Sequence, residues 1–482
     1  MGAGRPGVNT STILGASEGI VSVPRRMTLV ALGILDRRRG APAALAVLLA
    51  LSASSCTYLG FVREKRSLRR EAAAAPSVAL SRRLAPEDAF VLTGEILPAA
   101  GREGALVVAA LTRSRGRPEV VAARTFGPSA RRYDLFLPEA EYVLLAGADL
   151  DGDGFVDETE TELAADGQGV EVGAEGAEDG LFVRGPAVAR PGNASAGPGG
   201  DVRFRVAVRL HDLVVPSLDD PLFAPELGEA GMFRPIDLFA RTQGLVFALE
   251  PWDPDRTLVL FVHGALGTPR DFRALVAGLD RTRFQAAFFY YPSGMPLGKL
   301  GTALCEVVRS TDAVLGAGRL VVVAHSMGGL VTRAALREVC AGGCPARLAG
   351  WVSFASPYGG MESARIGAER APEPVPSWRD LAPGSPFLSA LFTPPLLDLP
   401  FHLFFAWGNE KDRGPGPAGD GTVALGSQLR PEAQGEAARL RGFAETHTGI
   451  LSRPEAVDAF RRVLEEMCAA PPVKKGGRTP RR

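Results

Sequence analysis

Residues 320–330 read L-V-V-V-A-H-S-M-G-G-L. An apolar run of strand type ends at Ala324, Ser326 follows, and the chain enters a helix-forming stretch through Met327, Gly328 and Gly329. A serine on so sharp a strand-to-helix turn exposes its hydroxyl for nucleophilic attack on a carbonyl. The small residues Ala324 and Gly328 let the turn pass close to its neighbours, with alanine standing where the G-x-S-x-G pattern has its first glycine. An idle serine in a Gly-rich turn is the alternative, and partners elsewhere in the chain decide between the two. A hydroxyl needs a base to take its proton. Five histidines are available: His211, His263, His325, His402 and His447. Carboxylates that could orient a base follow the apolar run ending at Trp407, namely Glu410, Asp412 and Asp420. A second strand-like run, 259–262, opens into a Gly-rich loop at His263-Gly264.

A different chemistry is written at 149–160, D-L-D-G-D-G-F-V-D-E-T-E. Asp149, Asp151, Asp153, Asp157 and Glu160 occupy the ligand positions of a calcium loop, with Gly154 at its turn. The preceding run Tyr142–Ala146 reads as a strand, not as the entering helix of an EF-hand. A structural calcium and a solvated Asp-rich turn are both open at this point.

These groups need elements to hold them. From about Arg256 onward, buried strand-like runs at Leu258–Val262, Ala286–Tyr291, Leu320–Ala324, Trp351–Ala355 and Leu403–Trp407 alternate with helix-like stretches such as Asp271–Leu279 and Leu300–Val314. Continuous apolar strands between helices predict a mostly parallel sheet covered on both faces. From 88 to 213 the rhythm is instead one of short β-like runs between Gly-rich turns, which predicts a small β-sandwich. The expected divisions are 1–56 as signal region, 57–87 as a charged, Ala-rich linker, 88–213 as the β-sandwich-like domain, 214–468 as the α/β domain and 469–482 as a disordered basic tail.

The stretch from about Gly231 to Met467 resembles bacterial lipases and esterases of the α/β-hydrolase superfamily. The resemblance rests on the elbow at Ser326, the His263–Gly267 loop, D-G-T-V at Asp420–Val423, H-T-G-I-L at His447–Leu451, and the segments A-S-P-Y-G-G at 355–360 and W-R-D-L-A-P-G-S-P-F-L at 378–388. It implies an α/β-hydrolase fold in which Ser326, Asp420 and His447 form a triad, in that fold's chain order. It also implies an oxyanion hole from the backbone N–H groups of Ala265 and Met327, and makes His263 a loop-shaping residue rather than the base. The 355–388 region would cover an acyl pocket as a lid does. The expected activity is hydrolysis of carboxylic esters, lipid or acyl esters in particular, through an acyl-enzyme and without a catalytic cofactor. An acyltransferase or lipid-remodelling deacylase using the same triad, and a binding protein with an inactive hydrolase domain, are the alternatives.

Arg37–Arg39, an apolar run from Ala41 to Ala53, and Ser54-Ser55-Cys56 have the order of an export signal. The run is shorter than the roughly 20 apolar residues a membrane-spanning helix needs. The cysteine after small residues resembles the bacterial lipobox, with Ala53 where that pattern prefers leucine. The expectation is export, with a lipid anchor at Cys56 holding the protein in the periplasm or at the outer membrane, and simple secretion as the alternative. Met27 is a candidate start. Lysines and arginines balance aspartates and glutamates at 54 each, which gives no reason to expect a nucleic-acid partner. Cys340 and Cys344 are near enough to pair across a small loop or to remain two thiols.

Overall fold

The computed structural model describes Ser55–Ala74 and most of 89–469. Residues 1–54, 75–88 and 470–482 lie outside the description, as do shorter stretches including 98–105, 149–154, 158–160, 190–204, 208–213 and 409–417. The export signal, the basic tail, His211, Glu410 and Asp412 therefore fall outside the described residues. So does the calcium loop, apart from the strand Phe155–Asp157, which carries one of its five acidic positions.

From residue 89 to 207 the described chain is built of strands. Its strands are β1 (Ala89–Glu95), β2 (Leu106–Ser114), β3 (Arg117–Phe126), β4 (Arg132–Pro138), β5 (Ala140–Gly147), β6 (Phe155–Asp157), β7 (Thr161–Leu163), β8 (Val170–Val172), β9 (Ala177–Glu178), β10 (Phe182–Arg184) and β11 (Arg205–Ala207). They form a sheet of order β4-β1-β10-β9, a second of order β3-β2-β5-β7 with β8 also on β5, and the β6–β11 pair. One apolar cluster takes Leu92, Leu135 and Leu137 from the first sheet and Val108, Leu144 and Ala146 from the second. Side chains alternate across a strand, so each sheet gives every second residue to that cluster. Pro118 sits in β3, an edge strand, the place in a sheet where proline is tolerated.

The second half is a seven-stranded sheet of β12 (Val246–Ala248), β13 (Thr257–Val262), β14 (Phe284–Phe289), β15 (Leu320–His325), β16 (Leu348–Phe354), β17 (Phe401–Ala406) and β18 (Arg439–Phe443), in the order β12-β14-β13-β15-β16-β17-β18. All the strands but β12 run parallel to one another, and β12 is antiparallel to β14. The continuous apolar runs have their physical reason here, because both faces are buried. Leu258, Leu260 and Val262 pack on one side with helices Leu297–Leu315 and Met327–Val339. Val259 and Phe261 pack on the other with helices Arg273–Ala277 and Pro454–Ala469. A mostly parallel sheet with helices on both faces matches the expectation for this half.

Three features differ from expectation or add to it. The segment between β16 and β17, expected as a lid, sends Leu381, Leu388, Leu391 and Leu396 into the main core. Cys340 and Cys344 form a disulfide at the end of helix Met327–Val339. The third difference lies in the expected linker, whose first part is helical over Ser55–Ala74. Tyr58, Phe61 and Val62 are buried against Met232, Phe233 and Val375, with Leu266 and Trp378 at the margin. The Tyr58 hydroxyl donates to the Glu373 carbonyl at 3.3 Å, and Lys65 approaches the Glu373 carboxylate at 3.8 Å. Residues 58, 61, 62 and 65 share one face of a helix, so a charged and Ala-rich segment still presents an apolar stripe.

Phe61 is 1% exposed. Phe61→Ala is expected to cost about 3–5 kcal/mol of stability, read as a lowered thermal midpoint. An unchanged midpoint would mean that this helix is not docked in solution.

Candidate active site

The carboxyl ends of the parallel strands carry the chemistry-bearing loops, as the topology of such sheets favours. β13 runs into His263–Gly267, β15 into Ser326, β17 toward Asp420 and β18 toward His447. Ser326 has φ 53° and ψ −130°. That left-handed φ is costly for a residue with a Cβ and persists only where surrounding contacts hold it. They do. Its N–H donates to Phe354 O at 2.8 Å, and the Gly329 N–H donates to Ser326 O at 3.0 Å. A Cβ on Gly328 would stand 2.4 Å from the carbonyl oxygens of Val262 and His263, and one on Gly264 would stand 2.8 Å from the Ser326 Cβ. Both glycines are therefore required by close approach, which is why the turn can press against the loop after β13. The non-glycine residues with left-handed φ among the described residues are Leu266, Ser326 and Ala355. The first lies in the loop after β13, the second is the elbow serine, and the third directly follows β16.

His447 Nε2 lies 2.8 Å from Ser326 Oγ, and His447 Nδ1 lies 2.8 Å from Asp420 Oδ2. A carboxylate only accepts, so Nδ1 carries the proton and Nε2 presents its lone pair to the serine hydroxyl. Asp420 is 1% exposed. Its Oδ1 accepts from the N–H groups of Thr422 (2.9 Å) and Val423 (2.7 Å), and Oδ2 also accepts from Gln428 Nε2 at 3.1 Å. Gly421 has φ 93°, the glycine conformation that turns the chain back so those two N–H groups reach the carboxylate. The His447 N–H donates to the Asp420 carbonyl at 3.0 Å.

In the loop after β13 the Leu266 N–H donates to Ser293 Oγ and the Gly267 N–H to Gly264 O. The expected oxyanion donor in that loop is the Ala265 N–H. On the elbow it is the Met327 N–H, at the first position of its helix, where no intrahelical acceptor exists. His263 is 2% exposed and its ring bonds lie outside the Ser326–His447–Asp420 chain. Its Nδ1 donates to Gly264 O at 2.7 Å, and its Nε2 accepts from the Tyr291 N–H at 3.2 Å. Burial pushes its pKa down to about 4, against the opposing effect of those hydrogen bonds, so it stays a neutral loop-shaping ring. His402 is buried in β17. His325 Nε2 donates to the His447 carbonyl at 3.0 Å, and burial first, then the neighbouring His447, push its pKa down to about 3.

The sequence reading did not single out Gln428, whose amide ties Asp420 to β17 by also donating to Ala406 O and accepting from the Ala406 N–H. No local signal marks it, because its partners are 22 and 8 residues away. No group of three His, Cys, Asp or Glu forms a metal-ligand set among the described residues.

No protein-family model matches the chain, and no curated protein matches it by sequence. Solved structures similar to it are lipases, esterases and thioesterases. Bacillus licheniformis lipase BlEst2 in its mature form is 18% identical over 45% of this chain and 97% of its own, with a TM-score of 0.37. Aspergillus fumigatus lipase B is 14% identical over 47% of this chain and 57% of its own, with a TM-score of 0.36. Est1E from Butyrivibrio proteoclasticus is 16% identical over 47% of this chain and 93% of its own, with a TM-score of 0.33.

Two buried imidazoles make stability depend on pH. Their folded pKa values, about 4 for His263 and about 3 for His325, lie below the ordinary 6.5, so between those limits the unfolded chain binds more protons. Their contribution is complete above about 6.5 and is lost as pH falls toward 4. Asp271, pushed up to about 6 by burial, works the other way between 3.8 and 6. Two imidazoles outweigh one carboxyl, so the thermal midpoint is expected to drop on acidification from pH 6.5 to 4.5. A midpoint that rose over that interval would contradict the burial of these rings.

Proposed function

We propose that this protein is a serine hydrolase cleaving carboxylic esters, with Ser326 as nucleophile, His447 as general base and acid, and Asp420 as the carboxylate orienting the imidazole. The observation that carries the reading is the hydrogen-bonded chain from Ser326 Oγ through His447 to Asp420, with both links at 2.8 Å.

The steps follow from the geometry. His447 Nε2 takes the hydroxyl proton as Ser326 Oγ bonds to the ester carbonyl carbon. The carbonyl oxygen becomes an oxyanion facing the N–H groups of Ala265 and Met327, each such donor contributing on the order of 3–4 kcal/mol of transition-state stabilisation. The tetrahedral adduct collapses, the C–O bond to the alcohol breaks, and His447 returns the proton to that alcohol. A water molecule deprotonated by His447 then attacks the acyl-serine and releases the acid. Asp420 stabilises the imidazolium. The all-β half, read as a β-sandwich accessory domain, supplies no group to these steps.

Turnover of p-nitrophenyl esters of graded chain length by wild type and Ser326→Ala tests the proposal. Activity in the wild type should fall about a thousandfold or more in the variant. Equal activity in both would sink it.

A lipid anchor at Cys56 belongs to the same reading. Mass spectrometry of the exported protein should find Cys56 acylated at a new N-terminus. An intact unmodified cysteine inside the mature chain would exclude the anchor.

A further inference from the structure

We propose that His325 is a positioning residue that holds the backbone of the His447 loop in register with the nucleophile. The proposal deepens the ester-hydrolase reading and rests on it.

Each neighbour of His447 holds it twice. Asp420 accepts from the His447 backbone N–H with its own carbonyl and from the ring Nδ1 with its carboxylate. The dipeptide His325-Ser326 does the same from the opposite side. His325 Nε2 donates to the His447 carbonyl at 3.0 Å, while Ser326 Oγ lies 2.8 Å from ring Nε2. A carbonyl oxygen cannot donate, so His325 carries its proton on Nε2 and leaves Nδ1 bare. Nδ1 is buried and has no hydrogen-bond partner. The ring centroids of His325 and His447 lie 4.8 Å apart.

Because His325 adjoins Ser326 covalently at the end of β15, any movement of the elbow is transmitted to the base through one hydrogen bond. The loop that carries His447 follows β18 at the edge of the sheet, separated from β15 by β16 and β17. Without the His325 bond, the imidazole keeps its link to Asp420 and loses its fixed distance from the hydroxyl. Misplacement of a base by about 1 Å lowers turnover by about a hundredfold.

The test compares His325→Phe, which keeps a planar ring and removes the donor, with His325→Gln, whose amide can donate from nearly the same place. The expected result for His325→Phe is a kcat lower by about 10- to 100-fold with KM within about twofold, and fluorophosphonate labelling of Ser326 slowed in proportion. His325→Gln should recover most of the loss. A kcat for His325→Phe within about twofold of wild type, or a His325→Gln as impaired as His325→Phe, would overturn the proposal. If His325→Phe does not fold, nitrogen-15 imidazole spectra of the wild type decide instead. They should show His325 protonated at Nε2 and bare at Nδ1, and the opposite tautomer would overturn the proposal. Failure of the underlying reading is separate, since it would show as undiminished turnover by Ser326→Ala.

Discussion

A carboxylate with 1% exposure must have its charge answered within hydrogen-bond reach, and Asp420 is answered by Thr422, Val423, Gln428 and His447. A buried charge without such partners would cost several kcal/mol. The need to satisfy it fixes the tight turn at Gly421, draws Gln428 onto the end of β17 and orients the imidazole of His447 with its bare nitrogen toward Ser326. Electrostatic necessity at one buried group thereby determines the direction of a hydrogen-bond chain that ends at the serine hydroxyl.

The other half of the site is set by sterics. Gly264 and Gly328 allow the loop after β13 and the elbow after β15 to approach more closely than any side chain would permit. The two strands are adjacent in the sheet, with Val262 opposite Ala324, so their carboxyl ends bring the two loops together. The strained backbone at Ser326 is held by bonds to β16 and to its own helix, and the left-handed residues Leu266 and Ala355 flank it. Strain gathered at one end of a rigid sheet is what a preorganised site requires.

Some of this was legible in the sequence and some was not, for identifiable reasons. The elbow is a local object, because strand, turn and helix are contiguous and each has its own residue pattern. The parallel strands were legible because burial on both faces leaves unbroken apolar runs. β14 was displaced by two residues toward its carboxyl end, since Tyr290 and Tyr291 extend its apolar run past the last ladder residue. β3 was hidden by Pro118, which is tolerated only because that strand is an edge. The linker from residue 57 looked like a tether because its stripe of Tyr58, Phe61 and Val62 is sparse among charges. Its partners Met232, Phe233 and Val375 are far away in the chain. The bonds of Gln428 and the bond from His325 to His447 are tertiary facts, visible only once β15, β17 and the loop after β18 are brought together.

The β half is not a detachable bead on a string. Val91 and Leu181 belong to the same apolar cluster as helix Leu297–Leu315, and the Lys299 ammonium lies 4.1 Å from the centre of the Phe90 ring. Cutting the gene near codon 214 to obtain a minimal enzyme would strip that helix of its cover and leave a greasy scar beside the main sheet. Engineering of this protein has to keep the two halves in one polypeptide, or replace the lost cover with polar substitutions on the helix.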